Sequence, residues 1–165
     1  MGAGKSSVGK ILAEKLNRDF YDTDKLVEES TGKSISKIFE SEGEGYFRDK
    51  EGETIKKITA EVNEAVVALG GGTILRRNNW ELITRSGVIV YLQWKFNSLL
   101  NRLANNDSRP LAAKIPRESY QTEFLKLFEL RKPIYAQADF IIDCFDDLTE
   151  TQVADEIVNE LEKRK

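Results

Sequence analysis

The sequence predicts an α/β domain in which helices cover both faces of a parallel sheet. Short apolar runs alternate along the chain with segments of helical periodicity, which is typical of strands joined by helical crossovers. The runs 65–69 and 88–92 are almost continuously apolar, as in strands covered on both faces. The 165 residues suffice for one compact domain, and we find neither a linker nor an internal repeat.

Composition excludes several classes of function. With 25 basic against 28 acidic side chains, no overall positive field attracts nucleic acid. The sequence shows no apolar run of membrane-spanning length and no signal peptide, so we expect a cytoplasmic protein without a membrane partner. The single cysteine, Cys144, excludes an intrachain disulfide and is expected to be buried at a strand end. The absence of histidine excludes proton transfer by imidazole and histidine-ligated zinc.

Apolar spacing and capping residues predict the individual elements. Helices are predicted over 5–16, from Leu26 to the breaker Gly32, over 34–39, from 44 to about 64, over 79–85, over 97–103, from about 117 to 130, and from 149 onward. Strands are predicted over 19–22, 65–69, 88–92 and 139–143. The predicted order alternates strand and helix, so functional residues are expected at the carboxyl ends of the strands.

The start of the chain resembles the second half of a phosphate-binding loop. Gly4, Lys5 and Ser6 run directly into the first helix, as in the motif G-x-x-x-x-G-K-[ST]. Backbone N–H groups of such a turn bind phosphate, the lysine reaches the outer phosphates, and the serine hydroxyl ligates Mg²⁺. The candidate nucleotide residues of this loop are Gly2, Ala3, Gly4, Lys5, Ser6 and Ser7. The first glycine of the full motif would stand two positions before Met1.

Charged and glycine residues follow the other predicted strands. Asp22 and Asp24 come after the first strand, and a glycine triplet at 70–72 follows the second. Arg109 lies in the polar stretch after the third strand and its helix, and Arg131 stands near the end of a long helix. A phosphate loop, a carboxylate for a metal, a carboxylate for an acceptor hydroxyl and arginines for anions indicate a phosphotransferase.

Seven segments together resemble the shikimate kinase family, in the family's order and with similar spacing along nearly the whole chain. They are Gly2–Ser6, Asp22–Asp24, Ser34–Phe39, Gly43–Glu51 with Phe47 and Arg48, Gly70–Gly72, Arg109–Leu111, and Arg131 with Pro133–Tyr135. The resemblance implies a three-layer P-loop kinase fold with a central parallel sheet, an acceptor-binding insertion at about 22–64 and a lid at about 105–117. It implies ATP-dependent phosphorylation of shikimate at the 3-hydroxyl, a step in chorismate and aromatic amino-acid biosynthesis.

The resemblance also implies roles for the acceptor residues. Asp24 would accept the hydroxyl that is phosphorylated, aligning it more than deprotonating it. Arg48 and Arg131 would bind the substrate carboxylate, for which a guanidinium fork is suited. Glu51 would hold Arg48 in place, with an exposed i,i+3 ion pair as the simpler alternative. The implied substrate-binding residues are Asp24, Arg48, Gly70, Gly71, Gly72 and Arg131.

Further roles concern the nucleotide and the metal. Asp22 and Ser6 would hold Mg²⁺, although Asp22 could instead only cap the next helix. Lys5 and Arg109 would stabilise the transferring phosphoryl group, Arg109 from the lid. Arg102 matches the position that stacks on adenine. Neither tryptophan of the chain matches a site residue, and both are expected to serve in packing or at the surface.

Two other readings stay open from the sequence. One is another small-molecule kinase of this architecture, such as a gluconate or nucleoside-monophosphate kinase. The other is a truncated, weakly active or inactive member that binds shikimate or a partner. We expect a monomer whose first, central strand is missing, so that Met1 is an internal methionine or the chain a fragment. The functional chain would then begin roughly ten residues earlier, with an apolar strand of about five residues.

Overall fold

The computed structural model describes residues 2–104 and 120–164. In this part of the chain the helices are α1 Lys5–Leu16, α2 Thr23–Thr31, α3 Ile35–Ser41, α4 Gly43–Glu61, α5 Arg77–Ser86, α6 Phe96–Ala104, α7 Tyr120–Tyr135 and α8 Glu150–Glu162, with a 3₁₀ turn at Thr73–Leu75. The strands are β1 Asp19–Asp22, β2 Ala65–Ala68, β3 Val90–Trp94 and β4 Phe140–Cys144. Helices and parallel strands alternate, which confirms the predicted α/β class.

Local chemistry sets most helix ends. The side chain of Ser34 caps α3, and Thr149 forms a capping box with Gln152 at the start of α8. Gly32 ends α2 in the left-handed region at φ 65°, where glycine is favoured. The predicted start of α2 near Leu26 is wrong. Helix α2 begins at Thr23, because the Asp22 carboxylate accepts the N–H of Asp24 at 3.0 Å.

Three other predicted boundaries need correction. Strand β3 starts two residues later than the apolar run, and Val88 is 51% exposed and not buried. Helix α4 stops at Glu61, since the next residue, Val62, already has extended backbone angles. Helix α7 runs on to Tyr135 with Pro133 inside it. The predicted start of this helix, near 117, lies outside the described residues.

The sheet is interrupted at its centre. Strand β1 pairs with β2, and β3 pairs with β4, each pair in parallel register, and in the described ranges no ladder joins β2 to β3. A cavity of about 580 Å³ lies between the two pairs. Its apolar lining includes Val66 and Ala68 of β2, Val90 and Leu92 of β3, Val8 and Leu12 of α1, and Phe124 and Phe128 of α7.

Apolar packing falls into two clusters. The larger one joins α1, β3, β4, α6, α7 and α8 around residues such as Leu92, Ile142 and Ile157. A smaller cluster of Val27, Ile38, Phe39 and Phe47 holds α2, α3 and α4 together. The second cluster is local to the predicted acceptor region, so that region has a core of its own beside the main one.

Cys144 is a buried residue at the end of β4, as predicted. Burial raises the pKa of its thiol to about 11, against the opposing charge of Arg102. The thiol is therefore protonated at neutral pH and unreactive.

Over the described ranges, no helix combines the length and apolar character that crossing a bilayer requires.

The central cavity leads to the first prediction. Interiors rarely hold voids much larger than one water, and cavity volume costs about 24 cal/mol per Å³. An apolar segment of about six residues, fused before Met1, is expected to fill the cavity and pair with β2 and β3. We expect it to raise the melting temperature by about 10 °C or more, measured by calorimetry.

A matched control carries a Gly/Ser segment of the same length, which can reach the cavity but has no side chains to bury there. It should leave the melting temperature within about 2 °C of the parent chain. Equal melting temperatures for the apolar and the Gly/Ser fusions would show that the cavity does not accept a strand.

Candidate active site

The phosphate-binding loop has the backbone shape that the glycines predict. Gly2 and Gly4 have φ angles of 71° and 76°, which disfavour any residue with a Cβ. Gly4 is also the N-cap of α1 and has no side chain to satisfy the N–H groups of the first helical turn. Those N–H groups and the positive end of the helix dipole therefore form an anion site, with Lys5 at the first helical position.

Trp94, at the end of β3, contacts the backbone of this loop. Its indole Nε1 donates a hydrogen bond to the Ala3 carbonyl at 3.1 Å, and the ring is only 5% exposed. The guanidinium of Arg102 lies over the same ring, 3.6 Å from its centroid. Trp94 is expected from the sequence to serve in packing or at the surface; it is buried, and it also contacts two predicted nucleotide residues, Ala3 and Arg102.

The candidate metal ligands lie together. The Ser6 hydroxyl donates to Asp22 Oδ2 at 2.5 Å, while Asp22 Oδ1 accepts the N–H of Asp24. Asp22 thus caps α2 and also contacts Ser6 of the phosphate loop, so the capping reading is confirmed and the metal-binding reading stays a prediction. A search of residues 2–104 and 120–164 finds no cluster of three or more acidic, histidine or cysteine side chains. One carboxylate beside one hydroxyl fits Mg²⁺, which keeps most of its water and takes oxygen ligands from substrate phosphates.

Charged side chains lie directly against the backbone of the glycine triplet. A Cβ on Gly70 would lie 2.6 Å from Asp24 Oδ1 and 2.8 Å from Glu51 Oε1. A Cβ on Gly72 would lie 2.6 Å from Arg48 Nη1. Because any side chain at these positions would collide with the site, the glycines are required by close approach. The triplet therefore brings Asp24, Arg48 and Glu51 to one place, as the resemblance implied.

A buried carboxylate holds Arg48 in the site. Glu51, 1% exposed, accepts from Arg48 Nη1 at 2.9 Å and from the Thr73 hydroxyl at 2.6 Å. Asn79 then donates to the Thr73 carbonyl at 3.1 Å. Burial favours loss of the charge on Arg48, but Glu51 and Glu44 outweigh it, so the pKa of Arg48 is raised. The alternative of an exposed ion pair between Arg48 and Glu51 is wrong.

Helix α7 carries Arg131, a predicted substrate residue, and Tyr135. Arg131 is 5% exposed, and its Nε has no hydrogen-bond partner in the described part of the chain. Burial raises the pKa of Tyr135, with the charge of Arg131 opposing it. The neutral Tyr135 hydroxyl donates to the Gly71 carbonyl at 2.7 Å, and its ring stacks on Tyr91. This contact ties the glycine triplet to the helix that carries Arg131.

The structure thus brings together most of the predicted residues. One group surrounds the glycine triplet, and the other forms the phosphate loop with Asp22 and Arg102. Arg109 and the predicted lid at about 105–117 lie outside the described residues. Sequence reasoning missed Thr73, Tyr135 and Trp94 as parts of the site. A signal existed for each: Thr73 directly follows the glycines, Tyr135 belongs to a segment that carries the family resemblance, and Trp94 lies two residues after the predicted strand 88–92.

Comparison with known proteins gives one consistent family. A family model described as shikimate kinase matches residues 1–162. The shikimate kinase of Sulfurihydrogenibium sp. (strain YO3AOP1) is 45% identical over 166 residues, covering 99% of this chain and 95% of that relative. The shikimate kinase of Thermodesulfovibrio yellowstonii is 42% identical over 163 residues, covering 99% of this chain and 91% of that relative.

Solved structures agree with the sequence relatives. Shikimate kinase from Acinetobacter baumannii in complex with shikimate matches with a TM-score of 0.91 and 34% identity, covering 100% of this chain and 90% of that one. The crystal structure of shikimate kinase from Aquifex aeolicus matches with a TM-score of 0.83 and 34% identity, covering 99% and 93% of the two chains. The P-loop kinase architecture that the resemblance implied is thereby confirmed.

The network around Glu51 gives a stability prediction. Thr73→Val keeps the shape of the side chain but removes the hydroxyl, leaving one oxygen of a buried carboxylate without its donor. We expect the free energy of unfolding to fall by about 1–3 kcal/mol in urea denaturation. Thr84→Val makes the same chemical change on the exposed face of α5 and should cost less than about 0.5 kcal/mol. Equal losses in the two variants would contradict the role assigned to Thr73.

Proposed function

Because this chain belongs to the shikimate kinase family, we infer that it transfers the terminal phosphoryl group of ATP to the 3-hydroxyl of shikimate. The products are shikimate 3-phosphate and ADP, a step towards chorismate and the aromatic amino acids. The observation that carries this conclusion is the match of residues 1–162 to the family model, together with a site that has the required groups. The site has a phosphate-binding loop, a glycine triplet with Arg48 against it, and a second, buried arginine, Arg131, on the helix whose Tyr135 contacts Gly71.

Arg48 and Arg131 are proposed to bind the carboxylate of shikimate. Arg131 is nearly buried and has an Nε donor without a partner among the described residues, so an anion arriving there gains a charge-assisted hydrogen bond. Glu51 holds Arg48 at 2.9 Å, and fixing its rotamer in advance lowers the entropy lost on binding. The backbone of the glycine triplet, which lies against Arg48, is proposed to support the substrate.

Asp24 is proposed to align the acceptor hydroxyl. Its Oδ1 lies beside Gly70, and its backbone N–H donates to Asp22, whose other oxygen accepts from Ser6 of the phosphate loop. A carboxylate is a weak base for an alcohol, so its main contribution is to aim the hydroxyl oxygen along the line of phosphoryl transfer. Lys5 and Arg109 are proposed to balance the charge of the transferring group.

Ser6 and Asp22 are proposed to hold Mg²⁺ with the nucleotide phosphates. A bound Mg²⁺ neutralises phosphate charge and orients the β- and γ-phosphates. Asp22 keeps its orientation because the backbone of α2 occupies its other oxygen. We further propose that residues 1–165 act as one monomeric, cytoplasmic kinase domain, with the acceptor region at about 22–64 and the lid at about 105–117.

An acceptor panel tests the proposed function. Purified protein with Mg·ATP is given shikimate, gluconate, a nucleoside monophosphate or no acceptor, and release of ADP is followed. We expect release with shikimate alone and a phosphorylated product of matching mass. Release with another acceptor would support a different small-molecule kinase. Binding of shikimate without any release would support the inactive reading.

Arg131 provides a sharper prediction within that assay. Arg131→Ala removes ground-state binding of the carboxylate, so KM for shikimate should rise about 10- to 100-fold with a smaller fall in kcat. Arg109→Ala should lower kcat more than it raises KM, because a lid arginine acts mainly on the transition state. Arg76→Ala, which breaks an exposed ion pair with Asp49, serves as the control and should change neither constant. The same pattern in both active-site variants would contradict these roles.

A further inference from the structure

Trp94 links the phosphate loop to the main sheet through a hydrogen bond to the loop backbone. The indole Nε1 reaches the Ala3 carbonyl at 3.1 Å, and Ala3 stands between the two left-handed glycines of the loop. Trp94 itself is fixed on the ladder of β3 with β4, opposite Cys144. The loop carbonyl is therefore held by a residue that the sheet makes rigid.

The same indole ring supports Arg102. The guanidinium carbon lies 3.6 Å from the ring centroid, within the range of a strong cation–π contact. The Arg102 side chain remains 34% exposed, so the ring covers part of it and solvent reaches the rest. Asp146 stands 4.0 Å from Arg102 Nε and is itself fixed by the Ser98 hydroxyl at 2.7 Å. Arg102 is thus held in one orientation from two sides.

The loop and the arginine also approach each other directly. A Cβ on Gly2 would lie 3.4 Å from Leu103 Cγ and 3.7 Å from Arg102 Cβ, so the loop backbone rests on α6. One indole therefore contacts both structures that a nucleotide must bridge. Its N–H fixes the loop that receives phosphates, and its face fixes a guanidinium whose exposed side can stack on a base.

We infer that Trp94 is a positioning residue for the nucleotide, setting the distance between the phosphate loop and the base-stacking Arg102. The inference rests on the proposed function in taking the nucleotide to be ATP or ADP. Trp94 does not touch the acceptor residues in the described contacts, so its effect should be confined to nucleotide binding. A residue that merely packs would change the binding of both substrates together with stability.

Two variants separate the contacts of Trp94. Trp94→Phe keeps an aromatic face under Arg102 but has no N–H for Ala3, and Trp94→Leu removes both contacts. Trp80→Phe is the matched control, because Trp80 lies on α5 and, in the described part of the chain, its indole forms neither the hydrogen bond to Ala3 nor the cation–π contact with Arg102 that Trp94 forms. The dissociation constants of Mg·ADP and of shikimate are measured by titration calorimetry, with the melting temperature of each variant.

We expect Trp94→Phe to weaken Mg·ADP about 2- to 10-fold, and Trp94→Leu about 10- to 100-fold. Binding of shikimate should change less than about twofold in both, and Trp80→Phe should alter neither constant. Arg102→Met tests the coupling. Combined with Trp94→Leu it should weaken Mg·ADP by clearly less than the product of the two single effects, because each residue acts through the other.

Unchanged Mg·ADP binding in Trp94→Phe, or equal weakening of ADP and shikimate, would overturn the inference. If Trp94→Leu does not fold, Trp94→Phe and Arg102→Met decide on their own. The readout does not depend on phosphoryl transfer. A parent chain that binds Mg·ADP yet phosphorylates no shikimate would refute the proposed function, while the ratios between variants would still judge Trp94.

Discussion

The placement of Arg48 beside the glycine triplet depends on one buried carboxylate. Glu51 is almost wholly removed from solvent and has both of its oxygens occupied, one by Arg48 and the other by Thr73. A buried charge is tolerated only when it is paired and hydrogen-bonded, so α4 and the turn after the glycines must stay in register. That requirement places the guanidinium of Arg48 against Gly72 and leaves no room for a side chain there.

Local sequence predicted the elements whose ends are chosen by nearby residues. The bounds of α1 and β1 agree with the prediction because Gly4 and Asp22, next to those ends, determine them. Strand β3 differs because its register is fixed by pairing with Phe140–Cys144, and a local apolar run carries no information about that partner. Val88 belongs to the apolar run but lies before the ladder, exposed to solvent.

The residues of the site also fall into those that local sequence predicts and those that depend on long-range contacts. Asp22, Asp24 and the glycines could be predicted because they sit in recognisable segments at strand ends. Thr73 and Trp94 could be suspected only from their positions near strand ends, since the contacts that make them important are with Glu51 and Ala3, which are 22 and 91 residues away in sequence. Such contacts arise from how strands and helices pack, and no short motif encodes them.

The two oxygens of the Asp22 carboxylate accept hydrogen bonds from different parts of the site. One accepts the N–H of Asp24 in the first turn of α2, and the other accepts the hydroxyl of Ser6 in the phosphate loop. A cation bound at Asp22, as proposed, would draw charge towards the loop and weaken the hydrogen bond that the same carboxylate accepts from the helix that begins at Thr23 and carries Asp24. The proposed metal site and the helix that carries Asp24 would then be thermodynamically linked through a single side chain. Whatever factor the first substrate imposes on the affinity for the second, the second must impose on the first.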